Sequence, residues 1–233
     1  MAKTESPYRC DECGWTTLKW VGRCGECQSW GTVVEVGAPT SASRQAVAVV
    51  PSADRIAKPN TEHTGSESGH VPTGVSEFDR VLGGGIVPGA VVLLSGEPGV
   101  GKSTLLLDVA AKAAQGGKRV LYVSAEESAG QVYLRASRTN GLDDNLFLAN
   151  ETDLGGVLGH IDQVHPQLLI IDSIQTVSSG VLDSSAGGVA QVREVAATLI
   201  RVAKNSNLPI IMVGHVTKDG QVAGPRTLEH LVD

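Results

Sequence analysis

One stretch, Gly96-Glu97-Pro98-Gly99-Val100-Gly101-Lys102-Ser103-Thr104, constrains this chain more than any other. Gly, four residues, Gly-Lys and then Ser is the spacing of a phosphate-binding loop. Its flanks suit it: residues 90–95 (AVVLLS) read as a buried strand and residues 104–111 (TLLLDVAA) as a helix. A strand, a glycine-rich turn and a helix start gather several backbone N–H groups and the positive helix end around one anion. Lys102 can then reach the β- and γ-phosphates, and the Ser103 hydroxyl can ligate Mg²⁺. The bland alternative is a glycine-rich turn before an ordinary helix; motif and flanks together weigh against it. A nucleoside triphosphate is the expected ligand.

The remaining composition narrows the class. A chain of 233 residues supports one substantial core plus a small extra module. Its 41% hydrophobic and 19% charged content is that of a soluble globular protein. No run approaches the roughly 18 apolar residues of a membrane span, and the polar start MAKTESPYRC is no signal peptide. A cytoplasmic protein without membrane contact is expected. The net charge of −6 gives no global attraction to nucleic acid. Any DNA contact must use local basic positions, with modest and salt-sensitive affinity.

Aromatic and cysteine residues are unevenly placed. Trp15, Trp20, Trp30, Tyr8 and all 4 cysteines fall in the first 30 residues, which marks a separate small domain. Cys10-Asp11-Glu12-Cys13 and Cys24-Gly25-Glu26-Cys27 form two C-x₂-C knuckles. Each puts two thiolates on one face of a tight turn, and together they complete a tetrahedral S₄ site. Zinc suits it better than iron, because nothing here suggests redox work. Four protein ligands close the site, so the metal is structural. Two disulfides or four unrelated thiols are the competing readings; a reducing cytoplasm disfavours the first and the paired spacing the second. Metal binding should supply much of so small a module's folding energy. The tryptophans are expected to pack around the knuckles, with base stacking by Trp20 or Trp30 as the minority reading.

The chain thus divides into three regions: a Cys₄ module over 1–35, a flexible linker over 36–69 rich in Ala, Ser, Pro, Thr and Gly, and an α/β core over 70–233. No internal repeat is visible. In the core, short apolar strands alternate with helical stretches, the pattern of a mainly parallel sheet covered on both faces. Residues 74–82 suit a short amphipathic helix stopped by Gly83-Gly84-Gly85. Further strands are expected at 119–124, 145–149, 167–172 and 208–214. Ligands of such sheets sit beyond the carboxyl ends of the strands. Three polar positions fall there. Asp172 ends an apolar run, as expected of a Walker B aspartate that orients Mg²⁺; the competing reading is a turn-capping Asp. Glu126 or Glu127 can polarise the attacking water, the other being a helix-start carboxylate. His215 can sense the γ-phosphate or serve as a polar packing residue.

Motif order then carries a resemblance. Thr73-Gly74-Val75-Ser76-Glu77-Phe78-Asp79-Arg80-Val81-Leu82-Gly83-Gly84-Gly85-Ile86-Val87-Pro88-Gly89, leading into the phosphate loop, resembles the RecA-like P-loop ATPases. With the cysteine knuckles the chain is similar to the RadA (Sms) family of bacterial DNA repair ATPases. Val123-Ser124-Ala125-Glu126-Glu127-Ser128, Ile171-Asp172-Ser173-Ile174-Gln175-Thr176 and Gly214-His215-Val216-Thr217-Lys218-Asp219-Gly220 stand in that family's order. The resemblance covers 8–35 and 70–233.

It implies a RecA-like core using ATP rather than GTP, with Mg²⁺, and a Zn²⁺ module. Lys102 would bind phosphate, Ser103 and Asp172 would serve Mg²⁺, and Glu126 would be the catalytic carboxylate. Segments near 178–189 and 217–226 would be mobile DNA-facing loops, with Lys218 and Arg226 at phosphates, or Lys218 at a neighbouring subunit's nucleotide. The implied activity is DNA-dependent ATP hydrolysis driving branch migration or unwinding of recombination intermediates. Implied partners are single-stranded and branched DNA, a RecA-type recombinase, and further copies in a hexameric ring. Family members continue with a Lys-Asn-Arg-Phe-Gly segment and a Lon-protease-like domain, so this chain is expected to be truncated within the ATPase fold. The runner-up is a RecA-like regulatory switch binding a protein, favoured by the acidic balance and the few basic loop residues. A third reading is an inactive fragment.

Overall fold

β-branched pairs, Thr16-Thr17 and Val33-Val34, mark where the cysteine-bearing segment forms strands. In the computed structural model, which describes residues 8–35, 57, 59, 69–215, 228 and 230–233, β1 (Tyr8–Cys10) pairs antiparallel with β2 (Thr16–Thr17) and with β3 (Val33–Glu35). This small sheet belongs to the first of two compact units, Met1–His63 and Thr64–Asp233. Its core is minimal: Cys10, Cys24 and Val33 are buried, with Tyr8, Trp15 and Val21 against them. Trp15 comes in over Gly25, where a Cβ would stand 2.8 Å from its ring.

The expectation that all three tryptophans pack around the knuckles is corrected here. Trp15 does so, whereas Trp20 and Trp30 are exposed. The physical reason is size. One indole, one valine and two sulfurs already fill the interior of this sheet.

The second unit is built on strands apolar on both faces, which is what buries a parallel sheet. After the short helix α1 (Ser76–Val81) come β4 (Val91–Gly96), α2 (Lys102–Gln115), β5 (Val120–Ser124), α3 (Ala129–Arg138), β6 (Leu146–Asn150), α4 (Leu154–Val164), β7 (Leu168–Asp172), α5 (Val189–Ser206) and β8 (Ile210–His215). The strands lie all parallel in the order β4-β8-β7-β5-β6. Alternate residues serve opposite layers. Leu121, Val123, Leu169, Ile171, Ile210 and Met212 pack with α4 and α5, while Val120, Tyr122, Leu168, Ile170, Ile211 and Val213 pack with α1, α2 and α3.

Each expected strand is present within two residues of its sequence-read ends, and α2 is longer than expected at both ends. The helices of the unassigned stretches have local causes. Ser128 and Gln131 form a reciprocal capping box at α3, and Asp153 caps α4 by accepting from Gly156 N–H at 3.0 Å. On α5, Val192, Val195, Ala196, Leu199 and Ala203 recur at helical spacing and are buried. No helix among the described residues is long and apolar enough to cross a membrane. Nearly all of the expected linker, and the segment 217–226 with Lys218 and Arg226, lie outside the described residues.

Sheet register positions the site. Gly96 at the end of β4 lies opposite His215 at the end of β8, and Ser124 at the end of β5 lies opposite Asp172 at the end of β7. Parallel pairing therefore brings four carboxyl ends to one edge.

Candidate functional site

The phosphate loop leaves β4 at Gly96 and enters α2 through Gly101, whose φ of +94° is the left-handed conformation glycine adopts without strain. Glu97, Pro98, Gly99 and Val100 form its exposed rim. At Gly99 and Gly101 an added Cβ would meet nothing within 4 Å, so the cradle is open. No side chain caps α2, so its first N–H groups point toward the loop without a side-chain partner.

Lys102 is buried, and its ammonium donates to Gly96 O at 2.9 Å and Glu97 O at 2.8 Å. Among the described residues no carboxylate forms an ion pair with it. A buried ammonium, an uncapped helix and an open glycine cradle fit a polyphosphate. Ser103 is half-buried in the first turn of α2, with Thr104 exposed beside it.

Asp172 is buried and accepts a 2.6 Å hydrogen bond on Oδ2 from the hydroxyl of Tyr122, on the neighbouring strand β5. Burial, then the Asp172 carboxylate, pushes the Tyr122 phenol well above its ordinary range, so it remains a donor. One carboxylate oxygen is thus held by protein while the other is left for metal or water.

The two glutamates after β5 have different partners. Glu126 is exposed; its Oε1 accepts from Ser173 Oγ at 2.6 Å and lies 3.1 Å from His215 Nε2. It therefore spans from the end of β5 across β7 to β8. Glu127 is paired bidentately with Arg135 of α3. Of the two, Glu126 faces the sheet edge where Asp172 and the phosphate loop sit.

Residues 178–188 form neither helix nor strand. The buried Gln191 amide ties them to α5, accepting from Ser179 N–H at 2.8 Å and donating to Ser179 O at 3.2 Å, Leu182 O at 3.1 Å and Ser184 O at 2.8 Å. The first half of this expected loop is thereby anchored, although Val181 at its tip is exposed.

In the other unit, the Sγ atoms of Cys10, Cys13, Cys24 and Cys27 all lie within 4.8 Å of one another. Cys10 and Cys27 are 3.7 Å apart, and Cys13 and Cys24 are 3.5 Å apart. A tetrahedral zinc with Zn–S bonds of about 2.3 Å needs sulfurs about 3.8 Å apart, so the cage fits. The electrostatics agree. The Thr32 hydroxyl, then the Cys13 backbone N–H, pulls the Cys10 thiol down to about 6. The backbone and hydroxyl of Ser29 lower Cys27. For Cys13, the Trp15 backbone N–H pulls down, but desolvation and the three neighbouring sulfurs outweigh it and push the thiol up to about 12. Four such sulfurs cannot all ionise without a cation among them.

Reasoning from sequence had no means of finding Tyr122, Ser173, Arg135 or Gln191. Their signals are a polar atom on an apolar strand, a Ser after the acidic residue, a basic residue one face along α3, and an amide at an apolar-face position of α5. Each becomes meaningful through a partner distant in the chain.

Comparison with known proteins agrees with this geometry. A family model described as an AAA domain matches residues 61–221, and a rubredoxin metal binding domain matches residues 8–35. The chain is similar along its whole length to proteins named DNA repair protein RadA. That of Mycolicibacterium smegmatis is 52% identical, with 100% of this chain and 51% of the relative covered. That of Listeria monocytogenes is 47% identical, with 100% and 50% covered. That of Bacillus subtilis is 44% identical, with 100% and 51% covered. The chain spans about half the length of the curated relatives it matches. With a nucleotide cradle at one sheet edge, a cage of four thiols and these matches along its length, the chain belongs to the AAA domain family, among the relatives of the DNA repair protein RadA.

Proposed function

We propose that this chain carries the ATPase of a DNA-dependent machine in DNA repair and homologous recombination, whose ATP hydrolysis drives branch migration or unwinding of recombination intermediates. One observation supports it most: Glu126, held by Ser173 and His215, stands at the same sheet edge as the Lys102 loop and Asp172.

Each group at this edge would have its own task. Lys102 exchanges the carbonyls of Gly96 and Glu97 for β- and γ-phosphate oxygens, joined by N–H groups of residues 97–104. The Ser103 hydroxyl and Asp172, steadied by Tyr122, hold the metal site. Mg²⁺ supplies charge neutralisation on the phosphate oxygens when bound. Glu126 orients and polarises the attacking water. His215, in contact with Glu126 and at the end of a central strand, transmits γ-phosphate loss to the residues after β8. The segments 178–189 and 217–226 would grip single-stranded DNA, with a RecA-type recombinase and further copies of the chain as partners. Zinc in the Cys10/Cys13/Cys24/Cys27 cage is structural.

ATP turnover with and without single-stranded DNA, in wild type and Lys102→Ala, tests this. Hydrolysis that rises with DNA and is lost in the variant is expected. Hydrolysis unchanged in Lys102→Ala removes the site. Turnover indifferent to DNA would instead favour a nucleotide switch acting on a protein.

A further inference from the structure

The zinc module carries two indoles that neither the metal cage nor the nucleotide site uses. Trp20 is 64% and Trp30 75% exposed, with Leu18 near them in sequence 61% exposed. They flank one bare piece of backbone: a Cβ at Gly22 would stand 3.8 Å from Trp20 Cη2 and 3.8 Å from Trp30 Cζ3. The arms bearing them are joined. Arg23 and Trp30 form an antiparallel bridge, and Gly31 N–H donates to Gly22 O at 2.9 Å. Arg23 lies over the Trp30 ring at 5.8 Å from its centroid. Its Nε donates to Gln28 O at 2.9 Å and its Nη2 to Gln28 Oε1 at 2.7 Å, which fixes the guanidinium.

Two exposed tryptophans forgo burial that so small a module would gain from, so their exposure calls for an occupant. Charge indicates which. Residues 18–23 (LKWVGR) contain Lys19 and Arg23 and no carboxylate. Within residues 8–35 the acidic residues lie elsewhere: Asp11, Glu12 and Glu26 at the knuckles, and Glu35 on β3. Glu12, the acid that reaches toward Trp30's neighbour, accepts from Ser29 Oγ at 2.6 Å. Flat apolar faces interleaved with cations, on a scaffold clamped by metal, match the faces and phosphates of unpaired nucleotides. A duplex offers no free base faces.

We infer that Trp20 and Trp30, on either side of Gly22, form a stacking platform for the bases of single-stranded nucleic acid, with Lys19 and Arg23 beside its phosphates. The choice of ligand rests on the proposed DNA-directed function; the platform does not depend on the nucleotide site.

All 3 tryptophans of the chain lie in this module, so intrinsic emission reports on it directly. Zinc-loaded full chain is titrated with labelled oligo-dT and with an abasic oligonucleotide of equal length, following tryptophan emission and label anisotropy. Oligo-dT is expected to quench emission, and the abasic strand to bind more weakly without quenching. Trp20→Ala and Trp30→Ala, checked for full zinc content, should each weaken oligo-dT binding by about tenfold, the scale of one stacked base. Gly22→Ala meets only ordinary contacts at 3.8 Å or more, so it should keep zinc and fold while weakening binding by filling the gap between the rings. Lys102→Ala should leave quenching intact. The inference is overturned if both strands bind equally, or if zinc-replete Trp20→Ala and Trp30→Ala bind like wild type. DNA-stimulated hydrolysis without tryptophan quenching would likewise overturn the platform while leaving the proposed function standing. Quenching by a protein partner but not by oligo-dT assigns the surface to protein and also overturns it.

Discussion

Asp172 and Glu126 illustrate how a carboxylate acquires its role from what holds it. Asp172 is fixed by one buried phenol, and replacing that phenol should change the metal site without disturbing the fold. Tyr122→Phe keeps the packing of β5 and removes the bond to Oδ2. Its ATP turnover should then need about tenfold more Mg²⁺, the worth of one hydrogen bond to a charged acceptor, with thermal stability lowered only slightly. A Mg²⁺ titration of turnover checks this; an unchanged midpoint would remove Tyr122 from the metal site. The two glutamates should separate cleanly. Glu126→Gln should lose about 10²- to 10⁴-fold in kcat while still binding ATP, as loss of a general base does. Glu127→Gln should leave Glu126 in place and cost about 1 kcal/mol or less through its partly exposed pair with Arg135. Kinetics and melting of the two variants decide it. Residue pattern alone pointed to a Glu126/Glu127 pair without ranking it, and only the family resemblance chose Glu126. Ranking from the residues needs to know that Arg135 lies one helix face away and that Ser173 and His215 come from beyond β5.

Among the elements, the segment after β7 and the zinc sheet are held in different ways. Residues 178–188 form neither helix nor strand: Ser178 is bridged to Asp153 at the start of α4, and the stretch beyond it is tied to α5 by one buried amide. Gln191→Ala should strand several backbone groups, at about 1–3 kcal/mol for each left unpaired, and open the segment to limited proteolysis ahead of the core. Cleavage within 178–188 at wild-type rate would show that the anchor is dispensable. In the zinc sheet, sulfur chemistry sets the response to pH. The ordinary thiol value is 9.0, and Cys10 is lowered to about 6 with Cys27 also lowered. Depressed thiols add stability above the ordinary value and lose it as pH falls through the folded one. Zinc affinity should drop as pH is lowered from about 9, because Cys13, pushed up to about 12, must release its proton to bind, and drop more steeply near 6, where Cys10 also takes up a proton. Competition against a chromophoric chelator across that window measures it. Strand positions were legible beforehand because parallel strands buried on both faces are continuous apolar runs. Helix α4, with glycines at 155, 156 and 159, was not assigned, since its propensity is poor and its Asp153 cap and packing against the sheet make it.

The two units should respond to different ligands. A chelator should abolish the small unit's order, seen as loss of the environment of Trp15, while the melting of the second unit is unchanged. ATP with Mg²⁺ should do the reverse, stabilising the second unit by about 2.7 kcal/mol at a hundredfold excess over its dissociation constant. Differential scanning calorimetry with each ligand separates the two effects; a single shared transition would reject independent units. The phosphate loop, the four metal ligands and the run ending at Asp172 were fixed by local spacing alone, because each is a short-range geometric requirement that few other residue patterns meet. Which glutamate Ser173 and His215 hold, what steadies Asp172, and that Trp20 and Trp30 stay in water depend on contacts between residues far apart in the chain. Those contacts exist only once strand order and register have brought the carboxyl ends together, and once one indole has filled a core too small for three.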